Sequence, residues 1–526
     1  MKILLTTLNT KYVHTNIALR YLYETVKTKD VCMKEYTINE PIGKILRDIN
    51  SFEAGVIAFS VYIWNVEETI KICENIKKIN PIVKIILGGP EVTYRSEEIL
   101  KNYEFIDYVI IGEGEETFPQ LIEVIEKDFD SNISLNKTNY NLDSKIPNYN
   151  LNTHSKDTNY DLSKNVKHVS YRNGQEIIVG NIALVSDTNK IPRIARKIAD
   201  EYDGKIVYIE TVRGCPYNCS YCLSSTIKGI RPFEMDRVKD ELKILMDAKV
   251  RLIKFVDRTF NYDKKRALEI WKFILENNIC TEFHFEISAH LIDDEILKFF
   301  ENVPPNVFRH EIGVQSTNPD TIKAINRNTD FEVVSRVTER IMKLGNITTH
   351  LDLIAGLPYE NYERFKESFN DVYNLNPTEL QLGFLKLLSG CQITNEKDLF
   401  EYECTSYPPY EILKNKFIYF EEIAKLKYVE EMVDVFYNSL RYKNSLIYVL
   451  EKFDTPFEFY YELSRFALEE GLFERKISAE EWMDVLYKFY KKNKFVDLDI
   501  FAAELKKDHF NSFGNKRRRG LEMFQR

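Results

Sequence analysis

Short apolar runs that alternate with amphipathic stretches are the feature that most limits how this chain can fold. In residues 1–127, amphipathic stretches such as Val66–Ile79 separate apolar runs at Ile3–Leu5, Val56–Phe59, Val83–Leu87 and Tyr108–Ile111. Short β-rich runs joined by helical patterns predict right-handed crossovers and a parallel sheet covered on both faces. We therefore expect an amino-terminal doubly wound, Rossmann-like α/β domain, with a weaker strand near Val31–Ile38.

The same alternation returns further along the chain. Between Lys205 and Leu388 there are six apolar runs, at Ile206–Ile209, Leu252–Val256, Phe283–Ile287, Glu311–Val314, Leu351–Ile354 and Leu380–Leu385. Six strands with helices between them predict a partial (β/α)6 barrel, whose active site belongs at the carboxyl ends of the strands. After about Cys391 the pattern is mostly helical, and Thr455, Pro456 and Glu458 are typical of a helix start.

These patterns divide the chain into four parts. We expect a Rossmann-like domain at 1–130, a linker with a β-hairpin at 131–200, the partial barrel at 201–390 and a helical domain at 391–526. Asp128 to Asn165 has the composition of a loop. Asn173-Gly174 suits a hairpin turn, and we expect the resulting β-ribbon to connect two domains.

Composition excludes several classes of protein. Hydrophobic residues are 44% and charged residues 29% of the 526, which is the profile of a globular chain and not of a disordered or fibrous one. No apolar run approaches the roughly 20 residues needed to cross a bilayer, and Met1–Thr7 is short and contains Lys2, so we expect a cytoplasmic protein with no membrane partner. The net charge of -9 and the lone basic run Lys516–Arg519, interpreted as a solvated tail, predict no nucleic-acid partner.

Three of the eight cysteines lie within eight residues, directly after the first predicted barrel strand. Cys215, Cys219 and Cys222 have the spacing CxxxCxxC. Thiolates are the ligands of iron–sulfur clusters, and three of them can wrap one 4Fe-4S cluster while leaving one iron open to a non-protein ligand. The alternatives are a zinc site that lacks its fourth ligand and buried structural cysteines.

This loop resembles the signature of the radical S-adenosylmethionine (SAM) superfamily, in which an aromatic residue, here Tyr221, precedes the third cysteine. Four further segments resemble the second to fifth strands of that superfamily, namely Phe255–Phe260, Phe285–Ser288, Ile312–Ser316 and Asp352–Pro358. In the second strand, Arg258 stands where cobalamin-linked members commonly have an acid, which leaves the role of that loop open. The resemblance covers most of residues 205–388.

The resemblance implies a 4Fe-4S cluster on Cys215, Cys219 and Cys222, with SAM on the open iron. It also implies a set of cofactor contacts: Tyr221 near adenine, Gln315 or Ser316 at the ribose, Glu286 at the methionyl part with Ser288 at the same strand end, and the backbone near Ile354 and Gly356 at adenine. One-electron reduction then cleaves SAM to methionine and a 5′-deoxyadenosyl radical, with an electron donor such as flavodoxin or ferredoxin.

The first domain resembles the cobalamin-binding domain that often precedes a radical SAM domain. The resemblance rests on Ile86–Glu91, which contains Gly88 and Gly89, and on Tyr108–Glu115. Glycine at the end of a strand permits close approach of a ligand, but it equally suits a tight strand-to-helix turn. His14 lacks the Asp and Gly of the DxHxxG motif that accompanies histidine ligation of cobalt, so we expect cobalamin to bind without a protein histidine. The alternative is a domain that has kept its fold and lost its ligand.

Along the whole chain, the order of domains resembles a bacterial group with a carboxyl-terminal domain of unknown function, for which Lys11–Asn16 and Tyr221–Ser225 are typical. The leading hypothesis is a radical SAM enzyme that uses cobalamin to methylate an unactivated position of a substrate that the sequence does not identify. The enzymatic alternative is a radical rearrangement or cyclisation without methyl transfer. A non-catalytic, cofactor-sensing interaction protein is the alternative from another class, and a transfer-RNA methylthiotransferase is disfavoured because Cys32 and Cys73 stand isolated in the first domain.

Overall fold

The computed structural model describes residues 1–136, 166–514 and 521–524. Most of the predicted loop at 128–165 and the basic run Lys516–Arg519 lie outside the described residues. The chain forms two compact units. The first comprises Met1–Arg213, Arg231–Lys254 and Asn277–Thr281, and the second comprises Gly214–Ile230, Phe255–Glu276 and Glu282–Arg526.

The amino-terminal sheet has seven strands within the described residues, in the order β2-β1-β3-β4-β5-β6-β7. Its strands are β1 (Ile3–Asn9), β2 (Val31–Thr37), β3 (Val56–Ser60), β4 (Lys84–Gly88), β5 (Tyr108–Ile110), β6 (Val169–Asn173) and β7 (Glu176–Ile178). Its helices are α1 (Ile17–Thr25), α2 (Ile42–Ser51), α3 (Val66–Ile79), α4 (Pro90–Thr93), α5 (Ser96–Asn102) and α6 (Thr117–Asn136). Strands β1 to β5 are parallel, and apolar side chains pack into a core on each face, which confirms the doubly wound prediction.

The predicted hairpin is present as β6 and β7, but it does more than connect. Strand β6 pairs antiparallel with β5, from Ile110 beside Val169 to Tyr108 beside Tyr171. The ribbon therefore extends the first sheet, and this part of the predicted linker belongs to that sheet. Asn-Gly predicts a local turn, whereas the strand that a ribbon joins depends on tertiary contacts.

The central sheet contains six strands in the part of the chain that the structure describes, and this confirms the predicted barrel strands. The strands of this region are β8 (Val207–Ile209), β9 (Val212–Arg213), β10 (Arg231–Pro232), β11 (Leu252–Phe255), β12 (Glu282–Ile287), β13 (Phe308–Gln315), β14 (Thr348–Ala355) and β15 (Glu379–Phe384). The sheet has the order β15-β14-β13-β12-β11-β8, while β9 and β10 form an antiparallel pair. Its helices are α7 (Ala195–Asp200), α8 (Met235–Asp247), α9 (Lys264–Asn277), α10 (Asp294–Phe300), α11 (Pro319–Ala324), α12 (Phe331–Leu344) and α13 (Tyr362–Tyr373).

The two faces of strands β12 and β13 differ in chemistry. Phe283 and Phe285 alternate with more polar residues along β12, and Phe285 and Phe308 lie against buried Trp271 of α9. Because β12 to β15 are parallel, their carboxyl ends meet at one edge of the sheet. The candidate cofactor residues of these strands therefore share that edge.

The carboxyl-terminal region is mostly helical, as predicted. It contains α14 (Gln392–Asn395), β16 (Glu403–Cys404), β17 (Ile412–Lys414), α15 (Phe420–Val433), α16 (Lys443–Leu450), α17 (Pro456–Glu469), α18 (Ala479–Lys492) and α19 (Leu498–Phe513). The Thr455 hydroxyl accepts from the Glu458 N–H at 3.2 Å, which confirms the predicted cap of α17. Among the described residues, no helix is both long and apolar enough to span a bilayer.

Candidate cofactor site

The cysteine loop follows β9 and is fixed by its own main chain. The Ser220 N–H donates to the Ile325 carbonyl at 2.9 Å, and the Ser220 carbonyl accepts from the Ile393 N–H at 2.9 Å. Ser220 stands between Cys219 and Tyr221. The two bonds therefore fix the backbone between these two predicted functional residues.

The three thiols are free and differ in their surroundings. Cys219 is buried, whereas Cys215 and Cys222 are half-buried. The Cys215 Sγ lies 3.5 Å from the Thr259 hydroxyl, and the Cys219 Sγ lies 3.8 Å from Nη1 of Arg327. Burial raises the pKa of the Cys219 thiol, and Arg327 acts in the opposite direction.

These donors fit an iron–sulfur cluster. Three free thiols project from one loop, and the guanidinium of Arg327 lies beside one of them. Within residues 1–136, 166–514 and 521–524, no group of three or more His, Cys, Asp or Glu side chains is arranged to hold a single metal ion.

A hydrogen-bonded chain links the cysteine loop to the end of β12. The Tyr217 hydroxyl lies 2.8 Å from Nε2 of His290, and Nδ1 of His290 lies 2.9 Å from the Ser288 hydroxyl. Burial lowers the pKa of His290, and Arg327 acts in the same direction. Ser288 was predicted from the sequence; Tyr217 and His290 were not, although His290 stands only two residues beyond Ser288.

Glu286, the residue expected at the methionyl part of SAM, pairs with Arg258. Nη1 of Arg258 lies 3.4 Å from Oε1 of Glu286. Arg258 is the residue that departs from the superfamily pattern, and the structure places its positive charge against the carboxylate of the next strand. The pairing gives this carboxylate an opposite charge at the neighbouring strand end.

The end of β13 carries both residues expected at the ribose. Gln315 has a left-handed φ of 72° at a shift in strand register, and its Oε1 has no hydrogen-bond partner among the described residues. The Ser316 hydroxyl donates to Oε1 of Glu360 at 2.6 Å, and the Ser368 hydroxyl donates to the same oxygen at 2.7 Å. Burial raises the pKa of Glu360 to about 7. Glu360 was missed from the sequence, because Ser316 is 44 residues away along the chain and no local pattern links Glu360 to Ser368.

The end of β14 is covered by the carboxyl-terminal region. The Gly356 carbonyl accepts from Nδ2 of Asn415 at 2.9 Å. A Cβ added at Gly356 would lie 2.9 Å from two side-chain carbons of Ile412. Ile354, the other residue expected at adenine, pairs in register with Gly383 of β15. The backbone around Gly356 is thus shaped by a segment outside the predicted barrel.

In the first domain, Gly89 is required by the turn itself. Its φ is 115°, and an added Cβ would lie 2.4 Å from the Val61 carbonyl oxygen. At Gly88 the nearest atom to an added Cβ is Cβ of Ile110, at 3.8 Å, which is an ordinary contact. The backbone conformation therefore requires glycine at Gly89, whereas a side chain could be accommodated at Gly88.

His14 lies in the loop between β1 and α1, before the capping residue Asn16. Its Nδ1 lies 2.7 Å from the Tyr208 hydroxyl, and burial is the main cause that lowers its pKa. The neighbouring Glu35 carboxylate accepts from the Asn16 N–H at 3.0 Å and from Nδ2 of Asn9 at 2.6 Å. His14, Glu35 and Asn9 line a pocket of about 600 Å³.

The acidic loop after β5 is engaged by arginines. Oε1 of Glu113 lies 2.6 Å from Nη2 of Arg231, and Glu115 pairs with Arg213. Arg213 also lies 2.7 Å from Glu210. The carboxylates of this loop thus pair with arginines of β9 and β10.

Three family models match successive parts of the chain. The B12 binding domain matches residues 3–122, the radical SAM superfamily matches 209–372, and a protein of unknown function (DUF4080) matches 398–523.

Two curated relatives and one solved structure are similar over much of the chain. The cobalamin-dependent radical SAM methyltransferase TokK of Streptomyces tokunonensis is 25% identical over 68% of this chain and 50% of its own. The anaerobic magnesium-protoporphyrin IX monomethyl ester cyclase of Cereibacter sphaeroides is 20% identical over 66% of this chain and 53% of its own. The chain thus spans about half the length of these relatives. The cobalamin-dependent SAM radical enzyme OxsB, solved with aqua-cobalamin and SAM bound, shares the fold with a TM-score of 0.62, at 15% identity, over 97% of this chain and 79% of its own.

Glu360→Gln should flatten the pH dependence of stability. The unfolded carboxyl ionises above about 4.5, while the folded one keeps its proton up to about 7, so its contribution to the free energy of unfolding falls as pH rises through that window. Between pH 4.5 and pH 8, we expect the free energy of unfolding of the wild type to fall by about 3 kcal/mol through this group, and the glutamine variant should lack that loss. Thermal unfolding at the two pH values measures the difference.

Glu363→Gln, in the first turn of the helix that follows Glu360, is the matched control, because the Glu363 side chain is 72% exposed. It should follow the wild-type pH profile. A Glu360→Gln profile parallel to that of the wild type would contradict the raised pKa.

Proposed function

We propose that this chain, a radical SAM superfamily protein with an amino-terminal B12-binding domain, cleaves SAM at a 4Fe-4S cluster and uses cobalamin to methylate an unactivated position of its substrate. The observation that carries the proposal is the loop of three free thiols, Cys215, Cys219 and Cys222, fixed through the main chain of Ser220. The cluster supplies, when bound, the one-electron reduction that yields methionine and a 5′-deoxyadenosyl radical.

The chain's own residues then bind and orient the cofactor. Cys215, Cys219 and Cys222 hold the cluster, and Tyr221 packs near adenine. Gln315 or Ser316 would meet the ribose, Glu286 would meet the methionyl part with Ser288 at the same strand end, and the backbone near Ile354 and Gly356 would meet adenine. Their position on parallel strands supports these roles, since β12, β13 and β14 end at one edge of the sheet.

Cobalamin binding in the first domain is proposed to need no protein histidine. The match to the B12 binding domain at residues 3–122 supports the cofactor itself. His14 lacks the acid of the DxHxxG motif, and its Nδ1 is engaged by the Tyr208 hydroxyl. Gly88 is the proposed point of close approach, because its backbone leaves room for a side chain and hence for a ligand.

Radical rearrangement or cyclisation without methyl transfer is the second candidate, favoured by the similarity to a cyclase. The proposed reductant is a small electron-transfer protein such as flavodoxin or ferredoxin. A sensor that binds SAM without cleaving it is the third candidate, and turnover separates it from both enzymes.

The deciding experiment uses anaerobically reconstituted protein with cobalamin, a reductant, a cell extract and SAM that carries an isotope-labelled methyl group. Methyl transfer predicts 5′-deoxyadenosine, S-adenosylhomocysteine and a labelled product by mass spectrometry. Cyclisation predicts 5′-deoxyadenosine with an unlabelled, dehydrogenated or rearranged product. Binding of SAM with no cleavage would identify a sensor.

Changing Cys215, Cys219 or Cys222 to Ala should abolish the cluster, because each supplies one of its three thiolate ligands. We expect bound iron to fall at least tenfold, together with the visible absorption of the cluster. Cys280→Ala is the matched control, since Cys280 is exposed and distant in sequence from the loop. Full iron content in Cys219→Ala would contradict the ligand assignment.

His14→Ala should leave bound cobalamin and the Co(II) paramagnetic resonance spectrum unchanged, whereas Gly88→Leu should weaken cobalamin binding about tenfold by steric exclusion. Gly89 is unsuitable for this test, because any side chain there clashes with Val61. Gly43→Leu, at an exposed position of α2, is the control and should bind cobalamin normally. Nitrogen hyperfine splitting that disappears in His14→Ala would overturn the prediction.

A further inference from the structure

The inner face of the central sheet, opposite the phenylalanines of β12 and β13, carries charged side chains. Residues in direct register on neighbouring parallel strands share a face and stand side by side. By this rule four strands contribute one residue each to a charged row, which consists of Glu286, Glu311, His350 and Glu379. Barrel interiors are usually filled by branched apolar side chains at such positions. The row instead brings three carboxylates and one imidazole together.

His350 is the residue of the charged row that contacts most of its carboxylates. Its Nε2 lies 3.1 Å from Oδ1 of Asp352, and its Nδ1 lies 3.9 Å from Oε2 of Glu379. Glu311 stands beside it in register on β13. Burial acts to lower the pKa of His350, but these three carboxylates outweigh burial and the net shift is upward. The surroundings therefore favour an imidazolium at this position.

The other charged groups near His350 do not supply a matching number of cations. Nε2 of His284 lies 2.8 Å from Oε2 of Glu311, and Arg309 lies 3.0 Å from Glu282 and 3.5 Å from Glu379. Five carboxylates and three arginines face the cluster from its own and the neighbouring elements, namely Glu282, Glu286, Glu311, Asp352 and Glu379, with Arg258, Arg309 and Arg327. The balance of charge among these groups is left to the imidazoles and to a bound cation.

The charged row ends at Glu286, the residue proposed to meet the methionyl part of SAM. His350 is two strands away from Glu286, which is about 10 Å at the usual spacing of strands. The sulfur of SAM carries a positive charge. A proton on His350 and a sulfonium near Glu286 would repel each other, and at this separation each should weaken binding of the other about fivefold, between the limits for water and for a protein surface.

We propose that His350 links cofactor binding to a proton: it holds the proton until SAM binds and then releases it, so that the affinity for SAM relative to S-adenosylhomocysteine rises with pH. This inference rests on the proposed function, because it requires SAM at the cluster. S-adenosylhomocysteine, which remains after SAM has given up its methyl group, has the same amino and carboxylate groups without the charge on sulfur. His350 is a positioning residue in this role, since it acts through the charges of the row and touches no reacting atom.

The test is isothermal titration calorimetry of the anaerobically reconstituted full-length protein with SAM and with S-adenosylhomocysteine, in two buffers that differ in ionisation enthalpy. A fivefold coupling displaces the pKa of His350 by about 0.7 and releases up to about 0.4 proton more for SAM than for S-adenosylhomocysteine. The ratio of the two affinities should rise about fivefold from pH 6 to pH 9. Comparing two ligands with the same amino and carboxylate groups removes the protons that those groups release.

His350→Asn should abolish both effects, because an amide takes up no proton in this range. His168→Asn is the matched control and should behave as the wild type, since Nδ1 of His168 lies 2.9 Å from the Asn181 carbonyl in the first unit. His350→Gln replaces the asparagine variant if the latter does not retain iron.

An affinity ratio that does not change with pH in the wild type would overturn the inference, and this measurement needs no variant. The same ratio and proton release in an iron-loaded His350 variant as in the wild type would also overturn it. A wild-type protein that takes up no cluster, or binds no SAM, would overturn the proposed function as well. Binding of SAM without the extra proton would leave that function standing.

Discussion

The two main-chain hydrogen bonds of Ser220 are the constraint on which the candidate site depends. They join the cysteine loop to the end of α11 on one side and to the start of α14 on the other. A loop with glycine and proline has little preference of its own for one conformation, and its thiols acquire fixed positions only when the backbone between them is fixed. The positions of Cys219, Tyr221 and Arg327 depend on these two hydrogen bonds. Cys219 and Tyr221 flank Ser220, and Arg327, which donates to the Tyr221 hydroxyl, stands two residues after Ile325.

Most of the fold could be predicted because it depends on local pattern. The apolar runs of both parallel sheets are short, β-rich and bounded by helical periodicity, so the strands were identified to within a few residues. The helix start at Thr455 was equally local, since a cap involves residues only three apart. The hairpin at Asn173-Gly174 marks the limit of this reasoning: the turn is encoded locally, but its pairing with β5 is not.

The chemistry of the site divides in the same way. The three cysteines were proposed as ligands from their spacing and Tyr221 from the resemblance. Arg327, Glu360 and the pair of Tyr217 with His290 could not be proposed in this way, because the fold brings their partners together. Gly89 shows a different limit. The sequence singled it out as a cofactor contact, but the clash of an added Cβ with Val61 explains the glycine without a ligand, and no sequence pattern separates the two reasons.

The contact of Asn415 and Ile412 with Gly356 has a consequence for how this architecture can be recombined. One side chain satisfies the Gly356 carbonyl and the other fills the space that a Cβ would take, so strand β14 and the segment around β17 form one complementary surface. A chimera that exchanged residues 398–523 with those of another protein would leave that carbonyl unsatisfied and that space empty unless both sides were exchanged together. The carboxyl-terminal region is therefore not a detachable module: in a design or a deletion series, the unit that can be moved includes the end of the fifth strand of the barrel.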